Sequence, residues 1–237
     1  MLQYETLECT LPIYQSPIPN LPSVKKLTKK PLTPPRWLEW AREIQALAQS
    51  GATYALNDFQ TMRYHRLMEI AAEIISEHTG LESQTLFEVF RDQKGYATPK
   101  VGVRGAVFRD DKLLLVREIS DGGWTMPGGW VDVGDRPAEA VEREVWEESG
   151  FRVKARRVVG VYDANRLPPS ELFHAFRITF LCDLIDGEAT PSNETSEVAF
   201  FAENEMPAGL SVKRTGPRHI RAAFAMHADP SLPTVFD

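Results

Sequence analysis

The sequence predicts an α+β fold, a sandwich in which strands surround one central helix, with a small helical segment ahead of it. Three observations predict it. From Lys100 onward, runs rich in β-branched and aromatic residues (VGVRGAVF, LLLVRE, VKARRVVGVYD, FHAFRITFLCDLI and VAFFA) are separated by turn residues. One acidic helical stretch, PAEAVEREVWEES, falls between the second and third runs, with another helix only late in the chain, so regular βαβ alternation is not expected. Before Lys100 the apolar residues recur at three and four, the spacing of helices.

Residues 1–35 read as an extended tail. Prolines recur at Pro12, Pro17, Pro19, Pro22, Pro31, Pro34 and Pro35, each fixing φ and removing a donor. The basic cluster Lys25, Lys26, Lys29 and Lys30 fits a solvated linker better than a partner contact.

Residues 36–98 read as a helical domain. In a first helix, Trp37, Trp40, Ala41, Ile44, Leu47 and Ala48 make one apolar stripe, and Ser50-Gly51 is the expected stop. A second helix starts at the capping pair Asn57-Asp58, carries Leu67, Ile70, Ala71, Ile74 and Ile75 on one face, and ends near Thr79-Gly80. A third covers Gln84 to Phe90. Short helices bury little alone, so this segment is expected to pack on the next domain or on another copy of itself, which points to a homodimer. His65 and His78 read as structural rather than as ligands.

Residues 99–237 form the larger domain. Asp110 to Lys112 is a turn between the first two strands, WTMPGGW is a glycine-rich loop, DGEATPSNETSE is a second loop, and ENEMP begins a final turn or helix.

The 237 residues suffice for one core plus a small helical domain. A net charge of −6 argues against nucleic acid as a partner, since that needs a basic footprint, but leaves room for a small anion held through a metal. The two cysteines, Cys9 and Cys182, lie far apart without metal-ligand spacing, which suggests a reducing compartment rather than a disulfide framework. No apolar run reaches the roughly 18 residues of a membrane span, and the N-terminus lacks a signal-peptide pattern, so a cytoplasmic protein without a membrane partner is expected.

The acidic helix poses the chemical question. Carboxylates four apart repel each other by a few tenths of a kcal/mol, so a cluster of them needs an offset. On a helix, Glu148 lies about 40° from Glu144 and Glu147 about 60° to its other side, so all three share one face. Val141 and Val145, with Ala138 a turn earlier, face a core. Pro137 suits the first turn and Gly150 the stop, so the helix should run from Pro137 to Ser149. A hard divalent cation, Mg²⁺ or Mn²⁺, supplies the offset, because such ions take oxygen ligands and keep waters and substrate phosphates. Gly128 and Gly129, in the loop before the helix, let backbone N–H groups approach phosphate oxygens. Together these describe a site for phosphoryl chemistry.

Gly129, five residues, Asp135, seven residues, then Arg143-Glu144-Val145-Trp146-Glu147-Glu148-Ser149-Gly150-Phe151 closely resembles the Nudix box, Gx5Ex7REUxEExGU. One position departs: Asp135 stands where the family usually has Glu, keeping the charge but not the reach. The segment from Trp37 through GYATPKVGVRGAVF resembles the Nudix subgroup with a helical N-terminal domain. The resemblance implies an α/β/α sandwich with a mixed sheet and hydrolysis of nucleoside diphosphates linked to another moiety, ADP-ribose first and CDP-alcohols next, often by dimers. Residues 1–35 lie outside it.

The resemblance makes Glu144, Glu147 and Glu148 metal ligands and Arg143 the residue that pairs with a box glutamate and orients it. The general base is either a box glutamate or one from the later loop, Glu194 or Glu197, for which ordinary strand-entry charge is an equal alternative. Arg104 and Arg117, on the strands before the box, could bind phosphate; edge-strand arginines are the plainer reading. Trp130, Tyr162 and Phe173 could stack on a base, although core packing explains any one of them. Two further readings stand beside a hydrolase: a Nudix-like nucleotide sensor, opposed by the intact helix glutamates, and a triphosphatase, opposed by the extra helices.

Overall fold

The computed structural model describes residues 35–164 and 172–237. The proline-rich tail and Cys9 expected from the sequence lie outside the described residues. Three helices come first: α1 (Arg36–Thr53), α2 (Asp58–Thr79) and α3 (Ser83–Asp92). Asn57 caps α2, its side-chain oxygen accepting from the Gln60 N–H at 3.0 Å, and Gly80 closes it with φ 75°.

Two expectations about these helices are corrected. Ser50-Gly51 does not stop α1, which continues to Thr53. A Cβ on Gly51 would meet the Tyr64 ring at 2.2 Å, so this glycine serves the close approach of α1 and α2. The stripes are also turned. On α1 the buried residues are Leu38, Ala41, Gln45, Ala48 and Gln49, while Trp40 and Leu47 are exposed. Two glutamines can be inside because their amides find partners in a chain: Gln45 donates to Gln49 at 2.8 Å, and Gln49 donates to the Gly95 carbonyl at 3.2 Å. On α2, Met68, Ala71, Ala72 and Ile75 are buried and Leu67 is not. His78 stacks on Trp37 at 4.4 Å and His65 meets the edge of Phe87 at 6.1 Å.

The rest is a mixed sheet of seven strands: β1 (Lys100–Arg109), β2 (Lys112–Glu118), β3 (Trp124–Thr125), β4 (Phe151–Asp163), β5 (Ala175–Gly187), β6 (Thr195–Phe201) and β7 (Val235–Phe236). The order is β3-β2-β1-β5-β4-β7, with β6 also paired to β2. β1 runs parallel to β5, β4 antiparallel to β5, and β6 antiparallel to β2. Asp110 and Asp111, at φ 51° and 57°, make the two-residue turn between β1 and β2, the left-handed pair that matches strand twist.

Helix α4 (Pro137–Ser149) covers one face of the sheet and α5 (Pro217–Ala228) the other. Alternation along β1 sets this up. Val103 and Val107 join Ala140, Val141 and Val145 of α4 in one core, while Ala106 joins Ile220, Ala223 and Phe224 of α5 in another. Gly105 lets α4 come close, since a Cβ there would lie 2.5 Å from Val145 Cγ2. The architecture is therefore the α/β/α sandwich with a helical segment ahead of it. The late helix starts at Pro217; the ENEMP stretch contributes only the short 3₁₀ turn Glu203–Glu205.

Candidate active site

A loop laid along β1 begins the site. Gly105 N–H donates to the Pro127 carbonyl at 2.8 Å, Val103 N–H to the Gly129 carbonyl at 2.9 Å, and Val131 N–H to the Val101 carbonyl at 3.0 Å. This pairing forces the two glycines. Gly128 sits at φ 142°, and a Cβ there would lie 2.2 Å from the Val103 carbonyl oxygen. A Cβ on Gly129 would lie 2.5 Å from Glu144 Oε2. The loop therefore presses directly on the carboxylate face of α4, whose limits, Pro137 at the first turn and Gly150 at φ 77°, are those the sequence predicts.

The glutamates line a cleft of about 880 Å³ with Gly128, Gly129 and Arg104. Glu148 is buried and accepts from the Gly128 N–H at 2.9 Å. Burial pushes its carboxyl up to about 7, against the pull of the Arg104 charge and the Gly128 N–H. Glu144 is also raised, first by burial, while Arg143 acts to lower it. Arg143 donates to Glu144 at 2.9 Å, to Glu147 at 3.0 Å and to Asp135 at 3.3 Å. Asp135 is thus long enough to reach the arginine of the box. Among the described residues, no three His, Cys, Asp or Glu side chains are placed to hold a metal ion as they stand. The donor set nevertheless suits a hard cation: three carboxylates on one helix face, in a cleft, with Arg143 lying between two of them.

The other sequence-predicted residues divide. Glu194 lines the cleft, held there by the loop bond from the Ile119 N–H to its carbonyl at 2.9 Å. Glu197 and Arg117 are not in the lining; they pair with each other across β2 and β6 at 2.5 Å. Arg104 is not on an edge strand as expected: β1 is central, and Arg104 is buried beneath the cleft, where desolvation lowers its pKa. Its Nε and Nη1 have no hydrogen-bond partner among the described residues. Trp130 lines the cleft, half exposed. Tyr162 instead packs on His219 at 4.3 Å, and Phe173 on Phe90 at 6.0 Å. Cys182 is a buried thiol pushed up to about 12 by burial and has no place in the site.

Sequence reading missed Glu118, Trp146, Thr190, Ser192 and Arg214, which also line the cleft. Glu118 ends β2 and binds Arg214 Nε at 3.1 Å. The two lie 96 positions apart, and nothing in local spacing joins them. Trp146 carried a signal: it is the apolar residue between the valines and glutamates of α4, on neither face.

Residues 98–223 match the NUDIX domain family, and residues 35–90 match the family described as UDP-X-like, N-terminal oligomerisation domain. The chain belongs to the Nudix family and is a Nudix pyrophosphohydrolase. It is 36% identical over 203 residues to YjhB of Bacillus subtilis, whose name describes it, provisionally, as an ADP-ribose pyrophosphatase; the match spans 85% of this chain and 97% of that one. It is 35% identical to an ADP-ribose pyrophosphatase of Methanocaldococcus jannaschii over 47% of this chain and 67% of the relative. Among solved structures, a UDP-X diphosphatase aligns over 85% of this chain and 98% of its own, at 29% identity and a TM-score of 0.55. An ADP-ribose pyrophosphatase of Streptococcus suis aligns over 59% and 100%, at 35% and 0.54.

Proposed function

We propose that this hydrolase cleaves the diphosphate of a nucleoside diphosphate linked to a second moiety, with ADP-ribose the favoured substrate and Mg²⁺ or Mn²⁺ the cofactor. The products are a nucleoside monophosphate and the phosphorylated second moiety. The observation that carries this reading is the convergence of Glu144, Glu147 and Glu148 with the Gly128-Gly129 backbone in one cleft. The relatives named as ADP-ribose pyrophosphatases support the substrate.

In this reading Glu144, Glu147 and Glu148 hold the cation, which supplies charge neutralisation and a water of lowered pKa. Taking up a cation requires Glu147 to leave Arg143, which a half-exposed side chain can do. Arg143, anchored by Asp135, then orients Glu144. Gly128 and Gly129 leave room for the phosphates beside the backbone. Arg104 supplies positive charge below them. The general base is a box glutamate or Glu194; Glu197, tied to Arg117, is set aside along with that arginine as a phosphate ligand. The division at residues 36 and 99 into tail, helical part and hydrolase domain belongs to the same reading, as does a cytoplasmic location; no helix among the described residues is long and apolar enough to cross a membrane.

A second substrate, a UDP-linked moiety, is favoured by one observation: the UDP-X diphosphatase structure matches this chain through its helical segment as well as its hydrolase part. The helices would hold two copies together, as the family description of residues 35–90 suggests.

The test is turnover of purified protein with Mg²⁺ or Mn²⁺ on ADP-ribose, a UDP-sugar, CDP-choline, NADH and nucleoside triphosphates, with Glu147→Gln alongside. Cleavage of a diphosphate that the variant loses supports the reading. Tight ADP-ribose binding without cleavage of anything would replace it with a nucleotide sensor.

A further inference from the structure

A smaller annex of about 240 Å³ adjoins the cleft, sharing Arg104, Gly129, Trp130 and Arg214 with it. Its charge is opposite to that of the carboxylate face. Among the described residues, the charged ones lining it are Arg104, Arg177, Lys213 and Arg214, none of them acidic. Strand geometry builds this. Gly102 of β1 pairs in parallel register with Arg177 of β5, and Arg104 with Thr179, so Arg104 and Arg177 stand on the same face of neighbouring strands. Arg177 donates to the carbonyls of Lys213 and Arg214, which holds that segment over the strands. Glu118 and Asp121 partner Arg214 and Lys213, yet neither lines the annex.

One residue of the annex carries unmatched hydrogen-bond donors. Arg104 is 93% buried, since only 7% of it is exposed, and its Nε and Nη1 have no partner among the described residues. Buried guanidinium donors are costly to leave unmatched, and a group they could satisfy must come from outside the chain. Arg104 also lines the cleft that holds the box carboxylates.

We propose that the annex is a second anion site, taking a phosphate or carboxylate group that the substrate carries in addition to its diphosphate. The proposal rests on the hydrolase reading above for what occupies the cleft, and it deepens that reading: the substrate class becomes nucleoside diphosphate derivatives with a further negative charge on one of their two moieties. Guanidinium pairs match phosphate and carboxylate oxygens alike, so either group fits.

Two matched pairs separate the sources. ADP-ribose against its adenosine 2′-phosphate derivative places the extra charge on the nucleoside; UDP-glucose against UDP-glucuronate places it on the other moiety. Binding is measured by calorimetry in EDTA, to the full-length protein and to Lys213→Gln. Lys213 is chosen because removing the buried Arg104 could unfold the protein. Both members of a pair carry the same diphosphate, so loss of metal cancels in their ratio. The expected result is about tenfold tighter binding of the charged member in one pair, the scale of a charge-assisted hydrogen bond. In Lys213→Gln that ratio should fall at least threefold. Equal binding within both pairs, or a preference untouched by Lys213→Gln, would overturn the proposal. Discrimination retained in a protein that hydrolyses none of the four compounds would instead refute the hydrolase substrate reading and leave the anion site standing.

Discussion

The Gly128 N–H donates to Glu148 Oε2 at 2.9 Å, joining the loop on β1 to helix α4 at one buried carboxylate. This contact ties the geometry of the glycine loop to the charge of the helix, and it separates Glu148 from its neighbour Glu147 in what each does for the fold.

Replacing Glu148 by Leu leaves the buried Gly128 N–H without a partner. We expect stability to fall by about 1–3 kcal/mol, the cost of an unsatisfied buried donor. Glu147→Gln touches a half-exposed side chain and should leave stability within about 0.5 kcal/mol of wild type. Both variants should lose turnover. Urea midpoints read beside ADP-ribose hydrolysis separate the two cases; equal midpoints would contradict the role given to the Gly128 contact.

The paired glycines should fail differently. Gly129→Ala drives a methyl against Glu144 Oε2, a movable side chain, so the fold survives and kcat falls about 10²-fold through misplacement. Gly128→Ala meets the Val103 backbone carbonyl instead, at a φ that L-residues rarely adopt. Backbone cannot swing aside, so this variant should lose stability as well as activity. Thermal melts of the two variants check the contrast.

Two buried groups make stability respond to pH in opposite senses. Burial, with the charges of Arg218 and Arg177, lowers His219 to about 3, and its Nδ1 accepts from the Gly216 N–H at 2.9 Å. The unfolded chain binds a proton near 6.5 that the folded chain refuses, so the His219 contribution is complete above 6.5 and is lost as pH falls toward 3. Glu148 works the other way: its raised pKa makes its contribution complete below 4.5 and lost as pH rises through about 7. The difference between wild type and His219→Gln isolates the histidine. Between pH 6 and 5, in EDTA, wild type should lose about 1.4 kcal/mol more per pH unit than the variant. Parallel urea-midpoint curves would show that His219 protonates freely in the fold.

Tyr54, Leu56, Phe59 and Met62 cluster where α1 turns into α2 and are all exposed. Exposed apolar patches of this kind mark interfaces. Leu56→Asp with Phe59→Asp should convert a dimer to a monomer in equilibrium sedimentation at micromolar concentration. A wild-type protein that is already monomeric and fully active would remove the idea.

Much of this was readable in the chain. The limits of α4, the capping of α2 by Asn57 and Gly80, and the Asp110-Asp111 turn all follow from local rules, in which a residue answers to neighbours three or four positions away. The buried stripes of α1 and α2 differ from the apolar pattern because apolarity is not the same as burial. Gln45 and Gln49 go inside because Gln45 bonds Gln49 and Gln49 bonds the Gly95 carbonyl, and Trp40 stays out, which only packing decides. Glu197 looked equivalent to Glu194 in SNETSE, yet strand pairing gives it to Arg117, while the loop leaves Glu194 in the cleft.

The class of chemistry was legible in the sequence through the resemblance of the Gly129–Phe151 stretch to the Nudix box, whose spacing puts three carboxylates on one helix face whatever surrounds them. Tertiary structure alone assembled the cationic annex beside the cleft. Arg104, Arg177, Lys213 and Arg214 come from three separate stretches and meet only when β1 and β5 pair and the segment before α5 closes over them. Charge placed by strand register and chain crossing has no period along the sequence, so it becomes visible only in the fold.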